Sequence, residues 1–127
     1  MSNVDIDDTI VAIASAEGSG LRGIVRLTGP DALAVIRCTF DGLQLGDQPQ
    51  QIETTVSLGG EGRAHQLPGR LLVWPDERSY TRQASAEFHT IGSRPLLDMV
   101  LEKLCRNGCR LAQPGEFTLR ALSLIHI

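Results

Sequence analysis

Aromatic residues are scarce. One Trp, one Tyr and three Phe make up 4% of the 127 residues. The interior must therefore be built mostly from Leu, Ile, Val and Ala. Cysteine is nearly absent as well. Cys38, Cys105 and Cys109 are odd in number, which argues against a disulfide framework. The pair in "CRNGC" has no second pair to complete a zinc site, so the thiols read as reduced and structural. No apolar run is long enough to span a bilayer. An excess of positive charge is missing too. The net charge of -3 lacks the electrostatic footprint of a protein that grips a phosphate backbone directly. The first residues, "MSNVDIDD", are acidic and polar, where a signal or transit peptide would be basic or apolar. The expectation is a cytoplasmic protein.

Several catalytic signatures are also missing. There is no G-x-x-x-x-G-K-[ST], so no phosphate loop for a nucleotide. Gly18, Gly20 and Gly23 in "EGSGLRG" sit between two strand-like segments, without the helix that a dinucleotide fingerprint requires. G-x-S-x-G and H-E-x-x-H do not occur. His65, His89 and His126 are not at ligand spacing, and no metal site is expected.

What remains is an ordinary globular composition, 42% apolar and 21% charged, at a length that suits one domain. "TIVAIAS" (9–15) and "LRGIVRL" (21–27) are rich in β-branched residues and predict a strand pair around the turn "AEGSG" (16–20). "GPDALAVIRCTF" (29–40) predicts a helix with Gly at its cap, Pro at its first position and Asp in its first turn. "IETTVSL" (52–58) alternates as a strand does. "GGEGRAHQLPG" (59–69) reads as turn and loop. "RLLVW" (70–74) is an apolar strand ended by Pro75, and "ASAEFHT" (84–90) follows a polar loop as another strand. "SRPLLDMVLEKLCRNG" (93–108) carries the firmest helix signals, with Ser93 to cap it and Gly108 where a left-handed end belongs. "CRLA" (109–112) is a short strand, and a last helix starts at Glu116. The β-β-α-β-β-β-α order predicts an α+β domain with a mixed sheet.

Three segments together resemble one family. "DTIVAIASAEGSGLRGIVRLTGPDAL" (8–33) is similar to the opening of the tRNA-modification GTPases MnmE, also called TrmE, with their "DTIxAxAT" and "GIxRxSG" strands. "SYT…EFH" (79–89) resembles their "SYTGEDxVEIHxHGG". "GCRLAQPGEFTLRA" (108–121) resembles "GxRxAxPGEFTxRAFLNGKxDL", and "PGEFT-x-RA" is its most specific piece. The resemblance implies a folate-binding domain, related to half of the tetrahydrofolate domain of the glycine-cleavage T-protein. It implies a homodimer that takes 5-formyl-tetrahydrofolate or a related folate. In the intact family protein it implies work with a flavoprotein, MnmG (GidA), on the wobble uridine of certain tRNAs. The family's helical and GTP-binding domains would lie beyond Ile127, so this chain is not expected to be catalytic alone.

Site residues follow from the same segments. Arg26 matches the Arg of "GIxRxSG", which contacts the folate in the family. A planar guanidinium can hold a carboxylate with two hydrogen bonds. Glu87 matches the Glu of "VEIH", and one carboxylate can accept from both the amino group and the ring N–H of a pterin edge. Glu116 and Arg120 read first as a helix-dipole residue and an i,i+4 pair, and second as neighbours of the pocket. Gly92 and Ser93 align with the family's Gly-Gly at a helix start. Ser93 reads first as an N-cap, with an anion site as the other reading. Tyr80 reads as a packing residue or a contact with a second copy.

The chain departs from the family in places. Arg82-Gln83-Ala84 replaces Gly-Glu-Asp, Ile91 replaces a His, and Ser93 replaces a Gly. These changes raise an alternative: a dimerisation or scaffold module that has lost folate. A one-carbon transferase of the T-protein type is a third reading, but it needs a second half-domain. After Ala121 the family pattern gives way to "LSLIHI" (122–127). That hexapeptide is also the translation of a transposase sequencing adapter. The expectation is a domain over residues 1–121 and a non-native tail over 122–127, with His126 standing where the family has a folate-site Lys.

Overall fold

A computed structural model describes residues 6–14, 21–59 and 65–125. The turn expected at 16–20, residues 60–64 of the turn and loop expected over 59–69, and His126 lie outside the described residues. In chain order the elements are β1 (Thr9–Ile13), β2 (Arg22–Thr28), α1 (Ala32–Thr39), β3 (Gln50–Leu58), β4 (His65–Trp74), β5 (Ser85–Ile91), α2 (Arg94–Arg106), β6 (Cys109–Leu111) and α3 (Glu116–Ile125). The six strands make one sheet in the order β3-β4-β5-β2-β1-β6. Among the described residues only the β1–β6 pair is parallel, so the sheet is mixed and the class is α+β, as the sequence predicts.

Residues directly opposite in neighbouring strands share a face of the sheet. Val11, Val25, Leu27, Leu71, Val73, Ala86 and Phe88 form the buried face. They pack with Val35 and Ile36 of α1 and with Leu97, Val100 and Leu104 of α2. Phe40 and Phe88 meet there, with ring centroids 4.7 Å apart. Two of the five aromatic residues are thus spent on the core. Cys109 is buried beside them, and burial pushes its thiol up to about 12. All three cysteines are unpaired thiols.

The opposite face reads off the register as three adjacent rows. Ile10, Thr28, Ser85 and Trp74 form one. Ala12, Arg26, Glu87, Leu72 and Gln51 form the next, and Ile24, His89, Arg70 and Glu53 the third. This face is polar along most of its length. No helix among the described residues is long and apolar enough to cross a membrane.

Two boundaries differ most from the expectation. The first helix does not begin with Gly29 as cap and Pro30 in its first turn: Asp31 is the cap and Ala32 the first helical residue. Tertiary contacts hold the preceding turn open. Gly29 has φ +145°, its N–H donates to the Ala84 carbonyl (3.1 Å), and a Cβ on it would stand 2.5 Å from Thr9 Cα. The Asp31 N–H is taken by Thr9 Oγ1 at 2.9 Å. The second difference is β4, which starts at His65 where a loop was expected. The strand includes Pro68 and Gly69. In the structure β4 pairs with β3 from His65 to Val73, but its backbone pairs with β5 only from Arg70 onward. Pro68 therefore lies where no β5 partner needs its missing N–H. At α2, Ser93 holds the N-cap position, but its side chain makes no capping bond.

Candidate functional site

The row containing Arg26 and Glu87 brings the two leading candidates side by side. They are cross-strand partners on β2 and β5. Arg26 Nε donates to Glu87 Oε2 at 2.8 Å, and the other oxygen, Oε1, is 3.0 Å from His89 Nε2. The Glu87 side chain is only 17% exposed. Both oxygens of this enclosed carboxylate are thus engaged.

Arg26 and Glu87 line a pocket of about 460 Å³ together with Trp74, Ser79, Tyr80, Thr81, Ser85 and Phe117. The size is that of a small-molecule site. Its walls are distinctive. All three aromatic residues that the core does not use, Trp74, Tyr80 and Phe117, are here. Phe117 lies on the first turn of α3, with its ring centroid 6.0 Å from the Arg26 guanidinium carbon. Tyr80 donates to Thr118 Oγ1 at 3.3 Å and remains largely exposed. A hydroxyl cluster completes the pocket. Thr28 Oγ1 is 2.5 Å from Thr81 Oγ1 and 2.7 Å from Ser85 Oγ, and Ser79 joins through Thr81 at 3.4 Å. Two other hollows, of about 480 and 540 Å³, have no Phe, Tyr or Trp in their walls.

The helix that carries Phe117 is fixed by a charge network. Arg110 Nε and a terminal nitrogen reach the two Asp8 oxygens at 2.6 and 3.2 Å, and its terminal nitrogens reach Glu116 at 3.0 and 2.6 Å. The fully buried Arg120 reaches Asp8 Oδ1 at 2.9 Å and the Asp8 carbonyl at 2.7 Å. The expected Glu116–Arg120 pair is present at 3.6 Å. The Arg110 guanidinium, foremost, holds both carboxyls below the usual carboxylate range. Two positive and two negative groups satisfy one another, so burial is tolerated.

A family model described as GTP-binding protein TrmE N-terminus matches residues 9–124. The chain belongs to the TrmE N-terminus family. It is 46% identical over 121 residues to a tRNA modification GTPase MnmE of Rhodopirellula baltica, covering 92% of this chain and 25% of that protein. MnmE proteins of Christiangramia forsetii and Streptococcus mutans are 35% and 38% identical over 118 and 116 residues, covering 91% and 90% of this chain and 25% of each relative. The chain thus spans about a quarter of the length of these relatives.

In this TrmE-type domain the candidates fall into three groups. Arg26 and Glu87 share the pocket. Glu116 and Arg120 stand behind it, in the network that holds α3, and do not line it. Gly92 and Ser93 follow the far end of β5, beyond Ile91, and take no part in its walls. The linear pattern does not mark Trp74, Phe117, Ser79, Thr81 or Ser85 as site residues, nor Asp8 and Arg110 as network residues. A usable signal existed for the aromatic residues. In a chain with so few, each one outside the core invites a reason.

Proposed function

We propose that this domain binds a formyl-tetrahydrofolate in the pocket between β2, β5 and α3, and does so as a homodimer within a tRNA-modification GTPase. One observation carries the reading. The three non-core aromatic residues converge on a single pocket whose charged wall is the Arg26–Glu87 pair. A pterin needs these two kinds of surface. Its flat ring packs on aromatic faces, and its amino group and ring N–H are donors for one carboxylate. Arg26 keeps its Nε on Glu87 and can offer its terminal nitrogens to a carbonyl or carboxylate of the ligand.

The membership and the MnmE relatives support the larger reading. In it the folate supplies a one-carbon unit, and the whole protein acts with an MnmG-type flavoprotein on the wobble uridine of tRNA. GTP hydrolysis belongs to another part of that protein, because no phosphate loop occurs in these 127 residues.

Titration calorimetry of the full chain with 5-formyl-tetrahydrofolate tests the proposal. Glu87→Gln keeps the shape but removes the charge and turns one acceptor into a donor. A charge-assisted hydrogen bond contributes about 1.5–3 kcal/mol, so affinity should fall roughly ten- to hundredfold. Equal affinity of the variant and the parent protein would remove Glu87 from the site.

A further inference from the structure

The two hollows on the outer face of the sheet meet at one contact. The aromatic pocket draws on Trp74, Ser85, Arg26 and Glu87. The neighbouring hollow of about 480 Å³ draws on Gln51, Leu72, Glu53, Arg70 and His89. Glu87 belongs to the first, His89 to the second, and their side chains touch at 3.0 Å. His89 thus stands behind the wall of the pocket and does not line it.

We infer that His89 is a positioning residue for the Glu87 carboxylate. The chemistry is directional. A carboxylate only accepts, so the His89 Nε2 must carry a proton and donate. Arg26 Nε takes one oxygen at 2.8 Å and His89 Nε2 the other. Each carboxylate oxygen has a second lone-pair site. With one site on each oxygen engaged, the plane of the group is fixed. The two remaining sites form a preset pair for a ligand that offers two N–H groups side by side. Preorganisation of this kind raises affinity by lowering the ordering cost of binding.

The surroundings suit the role. Ile24 on β2 and Arg70 on β4 flank His89 in its row, and Arg70 is turned away into a pair with Glu53 of β3 at 2.9 and 3.0 Å. Arg22 on β2 borders the same hollow. The imidazole is half-enclosed, with its side chain 18% exposed, so it is held in place and not free to swing into solvent.

The ligand arm of the test rests on the folate reading above, and a second arm does not. Calorimetry on the full chain with 5-formyl-tetrahydrofolate should show a loss of roughly three- to tenfold for His89→Leu, smaller than for Glu87→Gln because His89 acts through Glu87 and does not touch the ligand. His89→Gln, whose amide N–H can replace Nε2–H, should return affinity to within about twofold of the parent. In a Glu87→Gln background, His89→Leu should cause no further loss. Equal losses in the Leu and Gln variants, or an undiminished loss in the Glu87→Gln background, would overturn the inference. The second arm needs no ligand. A long-range 1H–15N spectrum should show His89 protonated at Nε2, with resonances that move on Glu87→Gln. A ring protonated at Nδ1 alone, or one indifferent to that substitution, also overturns it. If the parent chain does not bind the folate, the folate reading fails and this spectrum alone decides on His89.

Discussion

Arg82 holds a φ of +65°. That left-handed conformation brings a Cβ against the following carbonyl, at roughly 1–2 kcal/mol. The "SYT" segment it follows resembles a family segment with Gly at this position. The strain persists because its neighbours fix the turn. Arg82 N–H donates to the Ser79 carbonyl at 3.3 Å, Ser79 Oγ donates to the Gln83 carbonyl, and the Gln83 amide donates to the Ile6 carbonyl at 2.8 Å. The turn places Ser79, Tyr80 and Thr81 in the pocket wall. Arg82→Gly should relieve the strain and return part of the gain through the greater freedom of Gly in the unfolded chain. The expected net gain is about 0.5–1 kcal/mol. Thermal unfolding should then begin higher, with a midpoint raised by about 2–4 °C. A lowered midpoint in a calorimetric scan would show that the Arg82 side chain contributes more than its backbone costs.

At the scale of elements, α3 shows what the linear pattern discloses and what it hides. Glu116 and Arg120 are i,i+4, so their pairing could be read directly. Asp8 and Arg110 could not be, because Asp8 lies 112 residues from Arg120 and 102 from Arg110. The parallel β1–β6 pair brings them together by placing Thr9 opposite Cys109 and Ile10 opposite Arg110. Strand identity was likewise legible where apolar alternation was clean, as in Ile52–Leu58. It was not legible across Pro68 and Gly69, whose tolerance depends on which neighbour is missing. The network predicts a pH response. Asp8 and Glu116 both have carboxyls held below their ordinary range, chiefly by hydrogen bonds from Arg110. Groups with depressed folded values bind fewer protons folded than unfolded. Their stabilising contribution is therefore complete above the unfolded value of about 4 and is lost as pH falls through the lower folded values. The melting midpoint should fall steeply below about pH 4. Arg110→Met should lower the midpoint at neutral pH and flatten that acid limb. Parallel acid limbs for parent and variant would show that the network does not set the response. Arg120→Met removes the fully buried member of the network while Asp8 keeps its bonds to Arg110, so it too should lower the neutral-pH midpoint.

For the molecule as a whole, the sheet is one-sided. Its inner face is closed by α1 and α2, while α3 meets the other side, with Phe117 against Arg26 and Arg120 reaching the Thr28 carbonyl. The rest of the outer face carries paired charges, Arg26 with Glu87 and Arg70 with Glu53. At its margin stand Ile91, 55% exposed, and Leu21, 91% exposed. Paired charges need little rearrangement to be covered by another polar surface, whereas large exposed apolar side chains gain from being covered. A two-fold contact puts the same patch of each subunit against the other, so the proposed homodimer is best served by this face. Light scattering of the chain at tens of micromolar should give about twice the monomer mass, as a modest interface of micromolar affinity would. Ile91→Glu places two like charges near each other across the axis and should shift the population to monomer. Ile91 is more than half exposed and lies outside the walls of the aromatic pocket, so the far-UV circular dichroism should be unchanged. Weakened 5-formyl-tetrahydrofolate binding in that monomer would tie the pocket to the dimer, and full binding would make each subunit's pocket self-sufficient. A dimer that survives Ile91→Glu would move the interface to another face of the domain.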